Sequence, residues 1–250
     1  MPTATNDGVD LYYETAGSGD TVVFVPDLGC GAWLWAWQAP ALAGPRETIT
    51  WDLRGTGRSG DADEYSIASM AGDLEAVLTD HGARTAAVVG AGMGGMVAFA
   101  AALETSRVDR LALLGTAAEG AAFDADAFRG PPDDLTGLTS AGFREAYSEE
   151  AERIAGWRAN EDAPAGVREA QADAVAGFDV SDRLHEITAP AFVAHGAADA
   201  VVPAEAGQDS AAGLPRGRFE AFAEGSHFFF IEQARLVSDA LAGFLDGDRR

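Results

Sequence analysis

The chain has 250 residues, of which 47% are hydrophobic, and these values are typical of a folded α/β domain rather than a disordered chain. All 17 basic residues are Arg, against 40 Asp and Glu, so the net charge is -23. A surface this acidic repels nucleic acid and anionic membranes, and neither is an expected partner. The charge predicts a halophilic protein, because salt would screen the repulsion. An ordinary acidic protein from a GC-rich genome, which favours Arg over Lys, is the alternative.

The sequence lacks the patterns of a disulfide, a metal centre, a secretion signal and a membrane span. Cys30 is the single cysteine, and no cluster of Cys and His has the spacing of metal ligands. Residues 1–7 contain neither a basic segment nor an apolar run, so they do not resemble a signal peptide. No stretch approaches the roughly 18 uninterrupted apolar residues of a membrane helix. We therefore expect a cytoplasmic protein that holds no metal.

The first third of the chain predicts strands followed by one helix. Apolar and β-branched runs over 8–16 and 21–25 are joined by a Gly-rich turn, which predicts an N-terminal hairpin. A further strand is predicted over 47–51. Apolar residues then recur at helical spacing over 66–81, and Gly82 ends that helix.

The remainder alternates strands with helices. A Gly-rich turn joins strand 85–89 to helix 93–103, and strand 108–114 follows. The last elements predicted are strands 190–195 and 218–222 and helices 203–212 and 228–245. Such alternation predicts a mostly parallel sheet of about eight strands with helices on both faces.

One segment interrupts the alternation. Residues 117–186 begin like a loop and continue with two helical stretches, over 140–157 and 164–177. An insertion at this point predicts a small helical cap over the mouth of the sheet.

The turn after strand 85–89 fits two different motifs. Gly90, Gly92 and Gly94 match the G-x-S-x-G nucleophile elbow, except that glycine stands where the serine belongs. The same residues fit the dinucleotide motif G-x-G-x-x-G. That motif calls for an acidic residue at the end of the next strand, about 20 residues on, and the strand ends with Leu114-Gly115-Thr116. The elbow is therefore the favoured interpretation.

Three further segments carry a family resemblance. Residues 51–59 resemble the D-x-R-G-x-G-x-S turn of α/β-hydrolases, residues 195–203 resemble the loop that carries the acid, and residues 225–227 resemble the loop of the catalytic histidine. The chain is therefore similar to the small esterases, enol-lactonases and cofactor-free haloperoxidases of that family, in a haloarchaeal form. The resemblance implies an α/β-hydrolase fold over 1–250, with the cap at about 117–186 and no cofactor.

The resemblance also implies an incomplete active site. Asp199 is the expected acid and His227 the expected base, whereas the nucleophile position, Gly92, is vacant. The backbone N–H groups of Leu28 and Met93 are expected to form the oxyanion hole. An acyl-transfer triad needs all three side chains, but a base with its acid can still activate water. We therefore expect an enzyme that acts on a small ester, lactone or carbonyl compound. The alternative is a catalytically inactive pseudo-hydrolase that binds a small ligand.

Three other residues are expected beside the pocket. The side chain of Asp27 either faces the oxyanion hole, where it would oppose a developing anion, or turns away and caps its own turn. Cys30 is either a substitute nucleophile or a small buried side chain. Trp33 either packs the first helix or forms an aromatic pocket wall. The histidines at 81, 185 and 195 are expected to be packing or surface residues.

Overall fold

The structure, a computed structural model, describes residues 2–247 of the chain. It contains an eight-stranded sheet whose strands are β1 (Thr3–Asn6), β2 (Val9–Gly17), β3 (Asp20–Val25), β4 (Arg46–Trp51), β5 (Ala86–Ala91), β6 (Val108–Leu114), β7 (Ala191–Gly196) and β8 (Gly217–Phe222). Their order across the sheet is β1-β2-β4-β3-β5-β6-β7-β8. The two pairings that involve β2 are antiparallel, and all the others are parallel. The predicted mostly parallel sheet is confirmed.

The helices lie between and beside these strands. They are α1 (Gln38–Leu42), α2 (Ile67–His81), α3 (Met93–Glu104), α4 (Ala141–Ala146), α5 (Ser148–Glu161), α6 (Ala165–Ala176), α7 (Ala204–Gly213), α8 (Phe229–Glu232) and α9 (Ala234–Asp246). Every residue of β5 and β7 is buried, so helices and loops cover both faces of the sheet. Helix α2 begins where the Ser66 hydroxyl accepts the Ser69 N–H, and it ends at Gly82 in a left-handed conformation.

The sheet order changes direction beside β3. Its neighbours are β4, which follows it in sequence, and β5, and both run parallel to it. The chain therefore leaves the carboxyl ends of β3 and β5 in opposite directions, which opens a crevice there. Val25 and Gly90 are paired across these two strands, so the loops after them begin side by side.

Three local predictions were wrong. Strands β2 and β3 do not form a hairpin, because β4 lies between them and pairs with both. The short turn is compatible with a hairpin, but β3 pairs in parallel with β4 on one side and β5 on the other. Strand β2 therefore pairs with the far edge of β4. The predicted helix 228–245 is divided at Gln233, and the predicted helix 140–157 is divided at Tyr147.

Candidate active site

The turn between β5 and α3 depends on glycine. Gly92 has φ 49° and ψ -117°, a backbone conformation that residues with a side chain rarely adopt. A Cβ on Gly94 would lie 2.3 Å from the carbonyl oxygen of Val25, so that glycine is required by the close approach of α3 to the end of β3. The Thr116 hydroxyl donates to the Gly92 carbonyl at 2.7 Å and fixes the turn. The N-terminus of α3 therefore points into the crevice from a rigid turn.

The carboxylate of Asp27 fills the space in front of this turn. Its Oδ1 accepts the backbone N–H groups of Leu28 at 2.7 Å and Met93 at 2.8 Å. Its Oδ2 lies 2.8 Å from Nε2 of His227. Asp27 thus caps its own turn and faces the two N–H groups at once, which combines the two orientations that the sequence left open. The two predicted oxyanion-hole donors converge on a single oxygen of the protein itself.

His227 has a second carboxylate on the opposite side of its ring. Its Nδ1 lies 2.9 Å from Oδ2 and 3.0 Å from Oδ1 of Asp199. Asp199 is in turn held by the backbone N–H groups of Val201 and Val202, at 2.9 and 3.0 Å. The loops after β7 and β8 therefore bring the predicted acid and base into contact. One imidazole is hydrogen-bonded at both nitrogens by carboxylates that are fully buried.

These charges determine the protonation of the site. Burial lowers the pKa of His227, but the charge of Asp199 and hydrogen bonds to both carboxylates outweigh it and raise the pKa to about 10. Burial raises the pKa of Asp199, yet the His227 charge and hydrogen bonds bring it below its ordinary value. At neutral pH the ring is an imidazolium between two carboxylates. In this arrangement it has no free lone pair with which to act as a base.

Gly92 and Asp27 are sterically complementary. A Cβ built on Gly92 would lie 2.0 Å from Oδ1, 2.2 Å from Cγ and 2.3 Å from Oδ2 of Asp27. No side chain at position 92 can coexist with the observed Asp27 rotamer. Sequence reasoning found the two departures from the hydrolase pattern separately and missed this relation. The only signal in the sequence was that both unusual residues border the same expected site.

Aromatic rings enclose the histidine. Phe123 and Phe128 stack on each other with centroids 5.8 Å apart, and both stand edge-on to the His227 ring, at 6.1 and 5.8 Å. Phe228 lies against the same ring at 5.7 Å. These rings form apolar walls around the charged side chains of Asp27, Asp199 and His227.

The loop that carries Asp27 is held by the segment between β6 and β7. The side-chain oxygen of Gln171, on α6, accepts the Gly29 N–H at 2.7 Å, and the Ala163 N–H donates to the Gly29 carbonyl at 2.8 Å. Trp33 donates its indole N–H to Asp162 at 2.7 Å. These contacts were not predicted, because they join residues more than 100 positions apart in the sequence.

Cys30 and Trp33 are both buried, but their surroundings differ. Cys30 is buried, and burial together with the charges of Asp162 and Asp27 holds its pKa well above the ordinary value. This environment favours the packing interpretation of the thiol. Trp33 stacks on Trp157, and both rings line a surface groove of about 500 Å³. Trp33 therefore belongs both to the packing around the site and to the wall of a groove.

A second buried histidine lies close to the acid. Nε2 of His195 is 4.0 Å from Oδ2 of Asp199, and the ring is completely buried. Neither ring nitrogen has a hydrogen-bond partner among the described residues. Burial lowers its pKa to about 4, so the ring is neutral at neutral pH. The expectation of a packing residue agrees with this burial.

Two features are absent from the described residues, 2–247. None of their helices is long and apolar enough to cross a membrane. Within the same range, no three or more His, Cys, Asp and Glu side chains are grouped as metal ligands would be.

A sheet of this order, with a glycine turn after β5 and a histidine and an acid on the loops after its last two strands, defines the α/β-hydrolase class. The chain belongs to the alpha/beta hydrolase family, whose model matches residues 22–240. The predicted fold is thereby confirmed.

Relatives with several different activities are similar to the chain over nearly its whole length. RutD of Azorhizobium caulinodans, provisionally named a carbamate hydrolase, is 30% identical, and the alignment covers 98% of each chain. Est816, described as an N-acyl homoserine lactone degrading enzyme, is 27% identical with a TM-score of 0.86, over 97% of this chain and 100% of the other. The enol-lactonase of Burkholderia xenovorans LB400 also has a TM-score of 0.86, over 98% and 99% of the two chains, and at 23% identity it shows the fold alone.

Proposed function

We propose that the protein hydrolyses a small ester, lactone or carbamate without a serine nucleophile, with His227 and Asp199 as the base that activates water. The observation that carries the proposal is the convergence of the Leu28 and Met93 N–H groups on one point beside Nε2 of His227. Two donors and a histidine in this relation are what hydrolysis of a carbonyl compound requires. The names of the relatives support the substrate class.

The proposed reaction requires Asp27 to move. While its carboxylate accepts both N–H groups, a substrate carbonyl has no donors to stabilise its oxyanion. While it also pairs with His227, the ring stays protonated. Rotation of the Asp27 side chain would remove both obstacles, because a carbonyl oxygen could replace Oδ1 and a water could replace Oδ2. The segment 117–186 is proposed to act as a cap over this site within a single hydrolase domain.

The experiment compares the wild type with Asp27→Ala, His227→Ala and Asp199→Asn on an aryl acetate, a lactone and a carbamate in molar KCl. Wild-type turnover should be slow and should disappear in both His227→Ala and Asp199→Asn. Asp27→Ala should increase it by roughly 100-fold to 1,000-fold, because it frees the oxyanion hole. Asp182→Ala removes an exposed carboxylate and is the matched control for loss of charge. Absence of turnover in both the wild type and folded Asp27→Ala would contradict the proposal.

A second candidate is a non-catalytic protein that binds a small ligand. The observation that favours it is the occupation of the oxyanion hole by Asp27, which leaves the site closed to an acyl substrate. Turnover that appears only in Asp27→Ala and never in the wild type would support this candidate. We further propose that the protein is cytoplasmic. Its charge of -23 supports the further proposals that it is halophilic and has no nucleic-acid or membrane partner.

A further inference from the structure

The observed position of Asp27 is that of a nucleophile. Its Cγ lies 2.2 Å from where a Cβ of residue 92 would be, so the carboxyl group takes the space of an elbow side chain. Its Oδ2 makes the 2.8 Å contact with Nε2 that links a nucleophile to its base. Among the described residues, His227 is the single hydrogen-bond partner of this oxygen, so a second lone pair is available.

The position of Oδ1 restricts what the carboxylate can attack. The Leu28 and Met93 N–H groups already point at this oxygen, so the acyl group they stabilise without any movement is that of Asp27 itself. Attack by Asp27 on a substrate carbonyl would give an anhydride and would leave the substrate oxyanion without donors. Attack on a saturated carbon gives an ester of Asp27, whose carbonyl oxygen is Oδ1.

We propose that Asp27 is a nucleophile that displaces halide from a small alkyl halide and is regenerated by hydrolysis of the resulting ester. Among the described residues, His227 is the only acid in contact with the carboxylate, and it is engaged with the attacking oxygen. The leaving group therefore has to depart as a weakly basic anion, which halide is. The surrounding rings of Phe123, Phe128 and Phe228 suit an apolar alkyl group, and Phe123 and Phe128 would have to part to admit it.

The two steps balance. In the first, Oδ2 forms a bond to carbon, and halide leaves with the electrons of the carbon–halogen bond. The neutral ester no longer stabilises the imidazolium, so His227 releases its proton to solvent. In the second, His227 takes a proton from water, which attacks Cγ and places negative charge on Oδ1. Collapse breaks the Cγ–Oδ2 bond, and the departing alkoxide takes the proton from His227. The new carboxyl group of Asp27 then gives its remaining proton to His227, which restores the starting carboxylate and imidazolium. The sum is alkyl halide plus water giving alcohol, halide and a proton.

The inference rests on the proposed function only in its second step, where His227 and Asp199 serve as the base. The test therefore traps the first step. In His227→Gln, incubation with 1-bromobutane should give one butyl group per chain, mapped by peptide fragmentation to Asp27 and released by hydroxylamine, as an ester is. The other carboxylates in the same digest serve as internal controls. Asp27→Asn/His227→Gln is the matched variant and should carry no such adduct.

Wild-type protein in ¹⁸O-labelled water provides a second measurement, since one turnover should place ¹⁸O in the Asp27 carboxylate. Steady bromide release should fall at least about 100-fold in His227→Gln, because loss of the general base stops the second step. Absence of an ester on Asp27 in folded His227→Gln would overturn the inference, as would bromide release that persists in Asp27→Asn. The two proposals fail separately, because Asp27→Ala should raise turnover of acyl esters and abolish that of alkyl halides.

Discussion

Introducing a serine at position 92 tests the complementarity of Gly92 and Asp27. In Gly92→Ser alone, the new Cβ would lie 2.0 Å from Oδ1 of Asp27. This overpacking should lower the free energy of unfolding by about 1–3 kcal/mol, and the positive φ of a non-glycine residue should lower it by about 1–3 kcal/mol more. Asp27→Ala alone leaves His227 without one carboxylate and the two N–H groups unpaired, at about 1–3 kcal/mol for each unpaired group. In the double variant the overpacking is absent.

The double variant should therefore be more stable than the sum of the single changes predicts, by about 1–3 kcal/mol. Urea unfolding in molar KCl measures the free energies of unfolding of the wild type, the two single variants and the double variant. Gly8→Ser is the matched control, because Gly8 has φ 80° with no atom within 4 Å of its Cβ position. Its effect should add to that of Asp27→Ala without coupling. Additivity within about 0.5 kcal/mol for Gly92→Ser would refute the steric argument.

Three further predictions concern pH, salt and the thiol. The pKa of His227 rises from 6.5 to about 10 on folding, so the stabilisation by the protonated ring is complete below pH 6.5 and should be lost as pH rises towards 10. The free energy of unfolding in urea should therefore fall over that range in the wild type and should fall less in His227→Gln. The melting temperature should rise from dilute buffer to molar KCl, since the screening length falls to about 3 Å at 1 M; an unchanged value would contradict the halophilic interpretation. Cys30 should react with Ellman's reagent only after unfolding, because the thiol is buried and its pKa is raised; rapid reaction of native protein would exclude that environment.

Sequence patterns were sufficient for the fold because they report local periodicity. The alternation of strands and helices predicted a mostly parallel sheet, and β6 was predicted with its observed bounds, 108–114. The pairing of β2 was predicted wrongly, because strand order depends on contacts that periodicity does not record. Turn length alone suggested a partner for β2, whereas burial of β3 between two parallel strands decided the order.

The candidate site was only partly accessible from sequence. Motifs placed Asp199 and His227 on adjacent loops, and the structure joins them at 2.9 Å. The rotamer of Asp27 could not be read from the sequence, since the choice between two orientations depends on space that only Gly92 leaves free. The hydrogen bond from Gly29 to Gln171 was equally invisible, because it links residues 142 positions apart.

The mutual exclusion of a side chain at 92 and the carboxylate at 27 also limits how this site can evolve. A lineage that acquires serine at 92 first suffers a clash, and one that loses the aspartate first leaves two backbone N–H groups unpaired and His227 with a single carboxylate. Each single step should lower the stability of the folded protein, whereas the pair of changes should cost less than the sum of the two. Conversion between this site and a serine hydrolase therefore has to pass through a less stable protein. The two residues should persist or disappear together among descendants of this chain.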